Sequence, residues 1–241
     1  MKLFRHIPNT ITSMNLLCGS MGVIFTFQGE LNIAFYLMLA AAVCDFFDGF
    51  TARLLNAYSA TGKELDSLAD LISFGLLPSL MLHRRLIEGG MTGFWTYLPL
   101  LICLFSAIRL AKFNLDDRQS ENFLGLATPA CALWCGSLIF SADYGAMSIA
   151  GLLHGKTIIL IASVVLPLLL VSEIPMFSLK FKRNSPYNRI RITFICIVAA
   201  IAAAALILKI NWGYIVLLSL TCYIFFNLLL ALPFGKKVNK N

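Results

Sequence analysis

The sequence predicts an all-α polytopic membrane protein, with about eight transmembrane helices behind a short N-terminal interfacial segment. Three observations predict it. Of 241 residues, 59% are hydrophobic and only 13% charged, about half the charged share usual for soluble domains. The apolar residues gather in runs close to the ~20 residues that cover a hydrocarbon core. Short glycine-marked breaks at Gly29, Gly89-Gly90-Gly93, Gly151-Gly155 and Gly213 separate the runs. A backbone inside lipid has to satisfy its own hydrogen bonds, which makes helices the natural reading of those runs.

The chain opens with MKLFRHIPN, basic and apolar residues mixed ahead of Pro8, which suits a lead-in lying among headgroups over residues 1–10. A signal peptide fits less well, because Pro8-Asn9 interrupts the apolar run and no small-x-small cleavage site follows. The expected spans are 11–28, 31–54, 65–84, 94–112, 126–146, 157–179, 191–209 and 212–232. Short loops and the lack of an internal repeat argue for one domain over 1–241, with a six-helix core at 11–180 and two further helices at 191–232. At the first span, Asn9 or Thr10 can cap the helix, with Pro8 just outside. Pro175 is expected to kink the sixth span, near Glu173, for which a structural hydrogen bond and a substrate contact are equally open. The alanine-rich 199–205 stretch suits close helix packing.

Charge sets the expected orientation. All lysines and arginines except Arg84, Arg85, Lys156 and Lys209 fall on the side of the two termini. The positive-inside rule then places both termini at the cytoplasmic face, in a prokaryotic inner membrane. The net charge of +7 is accordingly read as basic loops near anionic lipid, with no role for nucleic acid. The 180–191 loop, with five basic residues and no acid, is either a solvated topology signal or a contact for anionic lipid. The seven cysteines are odd in number, lie in apolar runs and form no C-x-x-C, so they read as small buried residues. The three histidines share no motif.

One stretch resists the plain membrane reading. From Asp45 to Asp70 four aspartates sit in or beside apolar spans, where a carboxylate costs roughly 2.5–3.5 kcal/mol. Asp45, Asp48, Gly49 and Ala52 share one helical stripe, and Gly62, Asp66, Asp70 and Ser73 share another. A tight turn between them would bring four carboxylates together. An all-oxygen cluster suits two hard divalent cations, Mg²⁺ or Mn²⁺, and two metals suit displacement at phosphorus.

Asp45, Asp48-Gly49, Ala52-Arg53, Gly62, Asp66 and Asp70 match every fixed position of D-x2-D-G-x2-A-R-x8-G-x3-D-x3-D, the signature of the CDP-alcohol phosphatidyltransferases. The resemblance implies transfer of a phosphatidyl group from CDP-diacylglycerol to an alcohol, with release of CMP. It implies that Asp45 and Asp66 each touch both ions, Asp48 one and Asp70 the other, and that Asp70 is also the general base. It further implies CDP-diacylglycerol contacts at Asn9, Thr12, Gly49, Ala52, Arg53, Ser59 and Gly62, and a homodimer.

Three finer matches point to the acceptor. L-D-S-L-A-D-L-I-S-F-G at 65–75 and A-I-R-L-A-K-F-N at 107–114 are similar to the family members that use serine. Those members carry Arg where Lys112 stands. Members with phosphorylated acceptors commonly place Lys after the last aspartate, whereas this chain has Leu71. The expected acceptor is therefore L-serine. Arg109, Lys112 and Asn114 are possible acceptor or phosphate contacts, although basic residues near a helix C-terminus need no such role. F-L-G-L-A-T-P at 123–129 resembles a familial loop, with Ala127 in place of a proline. Glycerol 3-phosphate or inositol phosphate as acceptor, an archaeal ether-lipid donor, and, remotely, a cation-coupled transporter are the alternatives.

Overall fold

A computed structural model describes residues 6–115, 123–143, 155–176 and 188–231. Within these residues the chain is helical apart from turns and one two-residue strand pairing. Helix α1 spans Ile7–Gln28, α2 Leu31–Leu54, α3 Ala60–Asp70 and α4 Leu77–Glu88. Then come α5 at Leu100–Leu115, α6 at Thr128–Asp143, α7 at Lys156–Val171, α8 at Asn188–Ile207 and α9 at Trp212–Ala231. A π-helical turn at Leu71–Leu76 joins α3 to α4, so the third expected span is one long helix with a break. Five helical stretches are long and apolar enough to cross a membrane, and three shorter apolar helices accompany them. The chain is an integral membrane protein.

Most expected spans agree with these helices to within a few residues; four local expectations do not. Helix α1 starts at Ile7, with Pro8 inside its first turn. A proline there loses no helical hydrogen bond, because the first N–H groups of a helix have no partner in any case. Residues 7–10 are therefore part of the first helix rather than of a separate interfacial segment, and neither Asn9 nor Thr10 is its cap. Helix α3 begins five residues before the expected edge because Ser59 caps it, accepting a hydrogen bond from the Gly62 N–H at 2.9 Å.

Pro175 does not kink a helix. Helix α7 ends at Val171, and Pro175-Met176 pair antiparallel with Phe123-Leu124. The proline inside α7 is Pro167. Gly125 turns the chain at φ +75°, and its N–H donates to the Ile174 carbonyl at 3.0 Å. Glu173 lies past the end of α7 and is exposed. Gly213 is not a turn but the start of α9, where a side chain would meet Phe140.

The core is one cluster between the helices. Phe35, Met38, Phe74, Leu77, Met81, Leu82 and Phe140 are fully enclosed in it. Helix α1 packs chiefly on α2 and also meets α3, the π-turn and α4; α9 packs on α6. The 180–187 part of the basic loop, Arg118, residues 1–5 and the C-terminal lysines lie outside the described residues.

Candidate active site

Helices α2 and α3 run into the site from either side of a short turn at Leu55–Ser59, where Asn56 takes a positive φ of 48°. The turn folds one aspartate stripe against the other. Carboxylate oxygens of Asp45, Asp48 and Asp66 lie within 4.8 Å of one another. Asp70 is outside that trio, one turn deeper on α3, and close enough to Asp45 and Asp66 to interact with their charge. The four expected carboxylates thus form a group of three with a buried fourth beside it.

Each buried acid is met by α1. The Thr12 hydroxyl lies 2.7 Å from Asp48 Oδ2 and 3.0 Å from the Pro8 carbonyl, and its one proton serves either. Asn15 Nδ2 donates to Asp70 Oδ1 at 3.2 Å. Asp66 Oδ1 is buried and has no hydrogen-bond partner. Three like charges in so small a volume, one with a stranded oxygen, repel one another unless a cation lies between them. The residues fit a hard divalent metal centre: all donors are carboxylate oxygens on two rigid helices.

Beside the acids is a cavity of about 500 Å³. Asn9 and Thr12 line it from α1, Asp48, Gly49 and Ala52 from α2, and Ser59, Gly62 and Asp66 from the α3 side. Pro8 of α1 also lines it, and Ala57, Tyr58, Ala60 and Lys63, which were not singled out from the sequence, complete its wall. Their one sequence signal is that they fall in the x8 gap or next to its closing glycine. Gly62 is needed for close approach, since a Cβ there would come within 2.8 Å of Asn9 Oδ1 and 2.9 Å of Ser59 Oγ. Gly49 faces open space, with Arg53 Nη2 4.0 Å from where its Cβ would lie. Arg53 is exposed in the last turn of α2.

The three possible acceptor contacts separate. Arg109 is buried, not snorkelling: Nη1 donates to Thr128 Oγ1 at 2.7 Å, Nε has no partner, and its charge interacts with Asp70. Lys112 is exposed. Asn114 is tied to α3, donating to Ser67 Oγ at 2.9 Å and accepting from Lys63 Nζ at 2.8 Å. Asn15 and Thr128 were missed in the sequence. Asn15 could have been found as part of the stripe Pro8, Thr12, Asn15, Gly19, Gly22, Thr26, all buried and spaced by threes and fours.

The sequence profile of the CDP-alcohol phosphatidyltransferases matches residues 5–225. A CDP-diacylglycerol–serine O-phosphatidyltransferase of Mycobacterium leprae is 29% identical over 226 residues, covering 90% of this chain and 73% of that one. An archaetidylserine synthase of Methanothermobacter thermautotrophicus is 29% identical over 170 residues, covering 68% and 70%. A CDP-diacylglycerol–serine O-phosphatidyltransferase of Bacillus subtilis is 33% identical over 138 residues, covering 57% and 77%.

Proposed function

The chain belongs to the CDP-alcohol phosphatidyltransferase family, and from that premise we propose that it transfers the phosphatidyl group of CDP-diacylglycerol to L-serine, releasing CMP. One observation carries the reading: the carboxylate trio and the cavity share Asp48 and Asp66. A metal site alone would suit many reactions, and a cavity alone many ligands. Joined, they suit a donor whose pyrophosphate sits at the acids while its nucleoside fills the adjoining space.

In this reading Asp45, Asp48, Asp66 and Asp70 hold two divalent cations, Mg²⁺ or Mn²⁺. Such ions, when bound, neutralise the acids and stabilise charge on attacking and leaving oxygens. The low wall made by Gly49 and Ala52 lets the nucleotide lie against α2. Asn9, Thr12, Ser59 and Gly62 border it, and the Arg53 fork reaches phosphate oxygens. Asp70 takes the proton of the serine hydroxyl as that oxygen bonds to the phosphatidyl phosphorus and the bond to the CMP oxygen breaks. Arg109 supplies positive charge beside Asp70.

Serine is favoured over phosphorylated acceptors because Leu71, next to the base, carries no charge for an acceptor phosphate. The names of the relatives support the same acceptor, and the archaeal relative is the reason to test an ether-lipid donor too. We place the enzyme as a homodimer in a prokaryotic inner membrane, with the aspartates and both termini toward the cytoplasm. That orientation follows the bias of basic residues.

The test is CMP release by purified enzyme in lipid micelles with CDP-diacylglycerol and Mn²⁺ or Mg²⁺. Serine, glycerol 3-phosphate, inositol phosphate or no acceptor is added in turn. Release that needs both serine and metal is expected. Release only with a phosphorylated acceptor would keep the family and overturn the acceptor.

A further inference from the structure

Asn15 has no part in the chemistry above, yet from α1 its Nδ2 donates to Oδ1 of Asp70, the proposed base, at 3.2 Å. The residue is fully enclosed. Ionised carboxylate oxygens only accept, so the amide must turn its N–H toward Asp70. That leaves Asn15 Oδ1 buried without a partner. A residue that merely filled the space between two helices would not need a stranded carbonyl oxygen, since buried polar atoms are normally paired.

A second bond ties the same residue to the chain just beyond the base. Ser73 Oγ donates to the Asn15 backbone carbonyl at 3.1 Å. Ser73 sits in the π-helical turn Leu71–Leu76, which begins directly after Asp70. Such turns depart from α-helical spacing and recur at functional sites. The two segments touch closely here, since a Cβ on Gly19 would come within 2.9 Å of Ser73 Cα.

We infer that Asn15 and Ser73 form a positioning clamp for Asp70. The Asn15 side chain fixes the rotation of the carboxyl, and Ser73 fixes Asn15 to the turn that follows it. The carboxyl torsion of aspartate is broad and roughly two-fold. Without the donor, the oxygen that takes the proton is no longer held toward the hydroxyl. Asn15 touches neither substrate; it acts through Asp70. The inference rests on the reading of Asp70 as general base.

The test compares wild type with N15L, which keeps the branching of the side chain and removes the donor without adding charge, and with S73A. Assays follow serine-dependent CMP release, the KM for CDP-diacylglycerol and the Mn²⁺ activation constant. N15L should lower kcat by about 30-fold, within the range expected for a misaligned catalytic group, and S73A by about 5-fold. Donor KM should stay within about twofold of wild type, and the Mn²⁺ constant should rise with the loss in kcat, because the same carboxyl also holds a metal in the reading above. N15S, shorter but still able to donate, should recover part of the N15L loss. Should N15L not fold, N15S and S73A carry the same comparison.

A kcat near wild type in folded N15L, or in both N15S and S73A, overturns the clamp. So does a loss that appears equally in donor KM. Wild-type enzyme without serine-dependent release would instead sink the functional reading itself. Wild-type activity with unaffected variants sinks only the clamp.

Discussion

Helices α1 and α9 are alike in length and apolar character, at 22 and 20 residues, yet their inward faces meet different parts of the molecule. Helix α1 buries Thr12, Asn15, Gly19, Gly22 and Thr26 and exposes Met14, Leu17, Met21, Ile24 and Phe27. Helix α9 lays Leu217, Tyr223, Ile224 and Leu228 against the core and buries Asn227, whose Nδ2 donates to the Tyr223 carbonyl of the same helix at 2.8 Å. It is pinned to α6 by a hydrogen bond from Trp134 Nε1 to Thr221 Oγ1 at 2.9 Å. In lipid an exposed leucine carries no penalty, so the buried face alone shows what a helix is for. Helix α1 brings small residues and hydrogen-bond donors to the acids. Helix α9 contributes packing.

That contrast can be broken most severely within the acid cluster that α1 packs beside. Asp66→Asn removes charge from the carboxylate with the stranded oxygen, and turnover should fall by about 10³-fold or more as the metal centre weakens. CMP release across a Mn²⁺ titration is the check. Full activity at wild-type Mn²⁺ would mean that Asp66 holds no metal.

A subtler break removes one donor. Thr12→Val keeps the shape of the side chain and deletes the 2.7 Å contact with Asp48. A hydrogen bond to a charged group contributes about 1.5–3 kcal/mol, so kcat/KM for CDP-diacylglycerol should drop by roughly 10- to 100-fold. An unchanged value would show that the Thr12 proton serves the Pro8 carbonyl instead.

The smallest effect belongs to α9. Thr221→Val loses its bond to Trp134, worth about 0.5–1.5 kcal/mol net. Thermal unfolding in detergent should shift down by a few degrees, with kcat and both substrate KM values unchanged. A fall in kcat would give α9 a part in catalysis and erase the contrast with α1.

Much of this was legible before any fold was known. Membrane helices announce themselves by composition and length, which are local properties, and the expected spans lie close to the helices found. The aspartate stripes were legible for a similar reason. Residues three and four apart share a helix face whatever surrounds the helix, so Asp45 with Asp48, and Asp66 with Asp70, needed only the assumption of helix. The short turn between them then left little freedom except to fold one stripe onto the other.

What the tertiary structure alone decided is which distant residue meets which acid. Asn15 lies 55 positions from Asp70, Thr12 lies 36 from Asp48, and Arg109 finds Thr128 across two helices. The same holds for the π-turn after Asp70, the pairing of Pro175-Met176 with Phe123-Leu124, and the burial of Arg109. None of these has a local period. Each depends on how closely two helices approach and at what rotation, and that is set by packing of the whole bundle. The sequence by itself determined the chemistry of the site and the elements that carry it; the packing decided how each reactive group is held.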